Sequence, residues 1–301
     1  MAGRPSVRRR ARPGTVAAVA LAWLCLAPAG CAGRVGLGYL YPQGRVATYR
    51  WTIDATTTAV PGAAARHTLH LVVGVREEVA ARLPGAGPAP AGHRGSGPSA
   101  RLRMALTPLE TLQDAGTAVP GPPLSLDLDV GPDGRVGRVG GASNLPPAAL
   151  GALEIDRLLS ESRPPLPARA VPLHGRWTAA LSSTGTGTGI DLKGSGTLDG
   201  FSLQGGRRLA EITILRRGRV TTRQATGQGE VSLEGTASDR TSAELDIDRG
   251  LLVSATSTSV STFAPSGGQT GGQTPGSGDL RVELRTHVAL TGVRGQVGRA
   301  G

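Results

Sequence analysis

The chain carries two cysteines, a single lysine and few aromatic side chains, and each shortage excludes something. Cys25 sits inside an N-terminal apolar run and Cys31 just after it. A chain trimmed there keeps one cysteine and forms no internal disulfide. Aromatic residues make up 3% of the sequence, too few to interleave with arginines as stacking platforms, so nucleic acid is not expected as a partner. Long apolar runs are missing too. Residues 16–26, the most apolar stretch, cover about half of the ~20 residues that a membrane-crossing helix needs.

Motifs for chemistry are equally scarce. No G-x-S-x-G elbow positions a nucleophile, and no Gly-Lys pair marks a phosphate-cradling loop. The glycine-threonine alternation at 184–189 lacks the strand-then-helix setting of a dinucleotide fingerprint. His67 and His70 have the H-x-x-H spacing, but residues three apart on a strand point to opposite faces, so no metal is expected there. Asp127, Asp129 and Asp133 fall short of a helix–loop–helix calcium site, because its glycine and glutamate positions are held by Pro132 and Arg138. Asp133-Gly134 reads as a hairpin turn instead. No catalytic residues and no cofactor are assigned, and a non-enzymatic protein is expected.

What is present begins at the N-terminus. Arg4, Arg8, Arg9, Arg10 and Arg12 precede the apolar run, and small residues close it at Ala27-Pro28-Ala29-Gly30-Cys31. These are the three parts of an export signal. The formal net charge is +11, and removing these five arginines, which have no acidic neighbours, leaves +6. Lys193 is the only lysine, and with 46 glycines and 22 prolines the composition reads as that of a GC-rich genome more than of a cationic binding surface.

Ala29-Gly30-Cys31 resembles the lipobox of bacterial lipoproteins. That resemblance implies cleavage between Gly30 and Cys31, lipid on the Cys31 thiol, and a protein tethered to the cell membrane through its N-terminus. The chain departs from the lipobox at Pro28, where an aliphatic residue is usual. Ala27-Pro28-Ala29 is also an ordinary A-x-A site, whose cut between Ala29 and Gly30 would release a soluble secreted protein.

Downstream the sequence reads as strands. Residues 48–58, 67–75, 101–106 and 124–130 are β-branched or alternate apolar with polar, as do 177–181, 190–198, 209–215, 230–233, 243–247, 251–263 and 280–290. One helix is expected at about 147–161, capped by Asn144 and stopped by Pro164-Pro165, with Leu150, Leu153 and Leu158 as its apolar stripe. The expected fold is mainly β: a curved antiparallel sheet or half-barrel with this helix packed across it. The runs 124–136 and 243–253 both read as a strand, an acidic glycine turn and a return strand, which suggests two similar halves. The expected organisation is a signal peptide at 1–30, a lipidated tether at 31–38, and one β domain at 39–291. Loops at 83–99 and 264–278 and a tail at 292–301 are too polar or too rich in Gly and Pro to offset their ordering entropy.

Tyr49-Arg-Trp-Thr-Ile-Asp-Ala-Thr, Pro172-Leu-His-Gly-Arg-Trp177, Gly194-Ser-Gly-Thr-Leu198 and Leu245-Asp-Ile-Asp-Arg-Gly-Leu251 together resemble a set of exported bacterial β proteins common in actinobacteria. In that set the tryptophan commonly follows Gly-Asp, whereas Trp177 follows Gly175-Arg176. The expected architecture is also similar to envelope lipoproteins of the LolA/LolB and LppX/LprG type. This resemblance implies a concavity that carries a lipid or another apolar small molecule. The alternative is a structural or interaction lipoprotein with a closed core and an unidentified protein partner.

Replacing the acylated thiol tests the anchor. Cys31→Ser is expected to move the protein from the membrane fraction to the soluble fraction of fractionated cells, and an unchanged membrane fraction would contradict lipidation.

Overall fold

The computed structural model describes residues 33–60, 66–83, 100–114, 116–117, 122–141, 158–159, 162–184, 188–226, 229–265 and 279–295. Its strands are β1 (Val46–Val60), β2 (Arg66–Arg82), β3 (Ala100–Gln113), β4 (Gly116–Thr117), β5 (Leu124–Val130) and β6 (Val136–Gly140). They continue as β7 (Arg176–Thr184), β8 (Thr188–Gln204), β9 (Arg207–Thr226), β10 (Gly229–Asp246), β11 (Leu251–Pro265) and β12 (Asp279–Arg294).

All the strands join one open, curved antiparallel sheet. Eleven run in the order β6-β5-β3-β2-β1-β12-β11-β10-β9-β8-β7, and β4 pairs beside β3. The first half of the chain meanders outward from β1 to β6. The connection from β6 to β7, here called the crossover, joins the two edge strands, and the second half then meanders back until β12 pairs with β1. The two expected halves are therefore two meanders meeting at the centre.

Period-two alternation makes these strands. On β5, Leu126, Leu128 and Val130 are buried while Ser125 and Asp127 are exposed, and β3 alternates in the same way from Ala100 to Thr107. Pro108 is accommodated by a register shift: Val72 faces Glu110 and Val73 faces Pro108, leaving Leu109 as the extra residue. Trp177 packs over its cross-strand partner Gly196, where even a methyl side chain would overlap the indole. Trp177 is thus a core anchor, and its indole N–H donates to the Pro165 carbonyl at 2.9 Å.

The main core lies on the inner face and draws on both halves of the sheet. Of the helix expected at about 147–161, Leu158 and Leu159 are described; both are helical and buried, and Ser162 N–H donates to the Leu158 carbonyl at 2.9 Å. The remainder of that span lies outside the described residues, as do the signal region, Cys31 and most of the two expected loops.

The expected tether is partly packed into the domain. Val35 forms a bridge with Val171, and Leu37 is buried in the core. Tyr39 N–H then donates to Pro132 and Leu40 N–H to Gly250, so one short segment touches the hairpin turn of each half. Gly250 has a positive φ of 54°, and a side chain there would strike the Leu40 backbone. The expected tail is likewise shortened, because β12 continues to Arg294 opposite Val46.

Candidate functional site

The candidate site lies between the inner face of the sheet and the crossover. The sheet contributes in-register rows of side chains. Val288, Trp51 and Val73 form one row across β12, β1 and β2, and Leu290, Tyr49 and Val75 form the next. In the following row Glu77 stands between Ala47 and Met104. A carboxylate here interrupts an otherwise apolar face, and the small Ala47 and slender Met104 leave room for a partner.

That partner is Arg163 of the crossover. Its guanidinium pairs with the Glu77 carboxylate, with Met104 Sδ 3.8 Å away, and both charged groups are buried. Burial alone would lower the Arg163 pKa; attraction to Glu77 together with the surrounding tyrosines Tyr41, Tyr49 and Tyr39 outweighs it and holds the guanidinium charged. The chain on either side is fixed as well. Residues 162–167 are all buried, Tyr39 Oη donates to the Pro164 carbonyl at 3.2 Å, and Leu166 N–H donates to Asp133 at 2.9 Å.

Two unfilled spaces flank this contact. One, a small recess partly open to solvent, is lined by Trp51, Ile53, Val73, Leu106, Pro108, Leu124, Leu158 and Leu159. The surface of this space is apolar throughout. The second, also small and partly open, includes Tyr39, Tyr41, Arg45, Tyr49, Glu77 and Arg163 in its lining. Trp51 lines both.

All three tyrosines of the chain, Tyr39, Tyr41 and Tyr49, stand at this second space. Tyr39 and Tyr41 stack with centroids 6.3 Å apart, and Arg45 lies over the Tyr41 ring at 5.9 Å. Burial pushes all three phenols well above their ordinary range, with Glu77 adding to the effect and Arg163 opposing it.

The residues weighed for chemistry in the sequence are dispersed. His67 pairs with Asp114 at 3.0 Å and His70 with Asp54 at 2.6 Å, so the two imidazoles serve separate carboxylates. Among the described residues no group of three or more His, Cys, Asp or Glu is placed to hold a metal. Asp133-Gly134 forms the hairpin turn, with Gly134 at φ 82° and Arg135 N–H on Asp133 Oδ1 at 3.2 Å. Sequence reasoning missed Arg163, Glu77, Arg45 and Tyr41 as a group. One signal was available: a chain poor in aromatics places all its tyrosines within residues 39–49.

No protein-family model matches the chain, and no curated protein matches it. Among solved structures, a structure of lipid–protein interactions in lipovitellin is similar at 13% identity and a TM-score of 0.48. The match covers 87% of this chain and 26% of that one, so the chain spans about a quarter of lipovitellin's length. An outer membrane channel from Pseudomonas putida F1 is similar at 9% identity and a TM-score of 0.26, over 84% of this chain and 97% of that one. Salmonella typhi OmpF in complex with daunomycin matches at 7% identity and a TM-score of 0.22, over 84% of this chain and all of that one.

The phenols set the alkaline limit of the fold. Their pKa values in the folded state exceed the ordinary 10.0 of an unfolded tyrosine, so above that pH the unfolded chain loses protons that the folded chain keeps. Stability therefore falls as pH rises, by up to about 1.4 kcal/mol per pH unit for each phenol. Tyrosinate absorbance is expected to appear together with loss of the circular-dichroism signal of the sheet. Reversible tyrosine titration near pH 10 with the sheet intact would contradict this burial.

Proposed function

We propose that this protein is a non-enzymatic binder of an apolar small molecule, an acyl chain in the simplest case. In this reading lipid on Cys31 holds the domain outside the cytoplasmic membrane, and the ligand lies between the crossover and the inner face of the sheet. The observation that carries the reading is the apolar space under Leu158 and Leu159, which begins on Trp51 and extends along β2, β3 and β5.

The outer face supports a domain that stands outside the bilayer. Glu211, Arg217 and Arg219 on β9 and Arg281, Arg285 and His287 on β12 are exposed, whereas a lipid-facing strand carries an apolar band. A second reading, a closed interaction domain, is favoured by the buried Arg163–Glu77 pair and the Trp177–Pro165 bond, which hold the crossover down.

Extraction distinguishes the two readings. Protein purified from its own host is expected to release a lipid or other apolar molecule into organic solvent, detected by mass spectrometry above the level from a control protein prepared identically. No such molecule, together with specific crosslinking of one protein partner in intact cells, would favour the closed domain.

A further inference from the structure

The space lined by Tyr41, Arg45 and Trp51 has an uneven hydrogen-bonding inventory. Among the described residues four buried side-chain atoms lack a hydrogen-bond partner, and three of them belong to residues lining this one space: Tyr41 Oη, Arg45 Nε and Trp51 Nε1. The three residues are 7%, 4% and 4% exposed. An indole N–H and a guanidinium N–H can only donate, and a neutral phenol donates readily. Leaving such groups unmet is costly, so three of them on residues around one space call for an acceptor.

Charge gives the acceptor its sign. Arg45 and Arg163 line the space against one carboxylate, Glu77, which Arg163 already engages. Arg45 itself donates through Nη1 to the Arg249 carbonyl at 3.3 Å, and no carboxylate among the described residues pairs with it. The raised pKa values of the tyrosines keep their hydroxyl protons in place as donors. One buried positive charge and three open donors suit an oxyanion better than a neutral carbonyl or a cation.

Position gives the rest of the ligand. Trp51 separates this polar space from the apolar one, lining both. We propose that the two spaces form one site for a single-chain fatty carboxylate, with its head group accepting from Tyr41, Arg45 and Trp51 and its chain lying against Ile53, Val73, Leu106 and Leu159. This assignment rests on the apolar-binding reading above and adds the head group to it. Glu77, bound to Arg163, keeps that second guanidinium in place without competing for Arg45.

Calorimetric titration of the full-length protein with three probes of one chain length tests the assignment: dodecanoate, dodecanol and dodecyltrimethylammonium, each below its micellar concentration. Dodecanoate is expected to bind at least about tenfold more tightly than dodecanol, the factor that charge-assisted hydrogen bonds supply, and the cation more weakly still. Trp51→Phe and Tyr41→Phe each remove a donor and keep a ring, and Arg45→Gln removes the charge. Each is expected to bring the ratio of dodecanoate to dodecanol affinity most of the way to one, with folding checked by circular dichroism. Equal binding of all three probes, or a preference that survives all three substitutions, would overturn the head-group assignment while leaving the acyl site standing. Binding of none would overturn the acyl reading itself.

Discussion

The pairing of Arg163 with Glu77 is the contact on which the inner face depends. The sheet is open, so its curved face must be covered from elsewhere, and Leu158, Leu159 and Leu166 of the crossover join Leu37, Tyr39 and Tyr41 in its core. Two charges removed from water are tolerable only when they meet each other, and losing one partner of such a pair costs about 3–5 kcal/mol. This requirement sets the depth of the crossover. A guanidinium at Arg163 reaches the Glu77 row and no further, so Leu158 and Leu159 are held above Trp51, Ile53 and Leu106. An apolar side chain at position 163 would carry no such requirement.

The chain uses the same device a second time, with a different result. Arg216 and Asp239 face each other in register on β9 and β10, both buried, with Nε to Oδ2 at 2.7 Å and Ser257 donating to Asp239 at 2.8 Å. Here every strong partner comes from the sheet itself, and the pair supports the long strands of the second half beside a smaller apolar cluster that includes Leu192, Val220 and Phe263. The pair in the first half differs because one partner comes from outside the sheet. Unfilled space remains beside it, and Tyr41, Arg45 and Trp51, each with an unmet donor, are among the residues that line it.

Much of the fold was legible because alternation is a local signal. Residues 124–130 alternate strictly and form β5 with those bounds, and Asp133-Gly134 makes the turn its chemistry suggested. The expected strands at 230–233 and 243–247 proved to be one strand, β10. Between them the inward positions hold Asp239 and Thr241, whose partners, Arg216 and Ser257, lie on β9 and β11. Polar residues satisfied across the sheet look like a loop when read along the chain. The site was illegible for the same reason. Glu77 reads as a surface charge after Arg76 and before Glu78, and only the register that sets it between Ala47 and Met104 shows that it faces inward. Likewise, a Gly-rich stretch before Tyr39 reads as a tether, although Leu37 is buried and Val35 pairs with Val171.

A double-mutant cycle on Glu77 and Arg163 measures the contact that shapes the site. Unfolding free energies in urea would be compared for Glu77→Gln, Arg163→Met and the two together. Each single change is expected to cost about 3–5 kcal/mol, and the double change less than their sum by at least about 2 kcal/mol, because a lone buried charge is worse than none. Additive effects agreeing within about 0.5 kcal/mol would mean that the two side chains do not hold the crossover to the sheet, and would contradict this account.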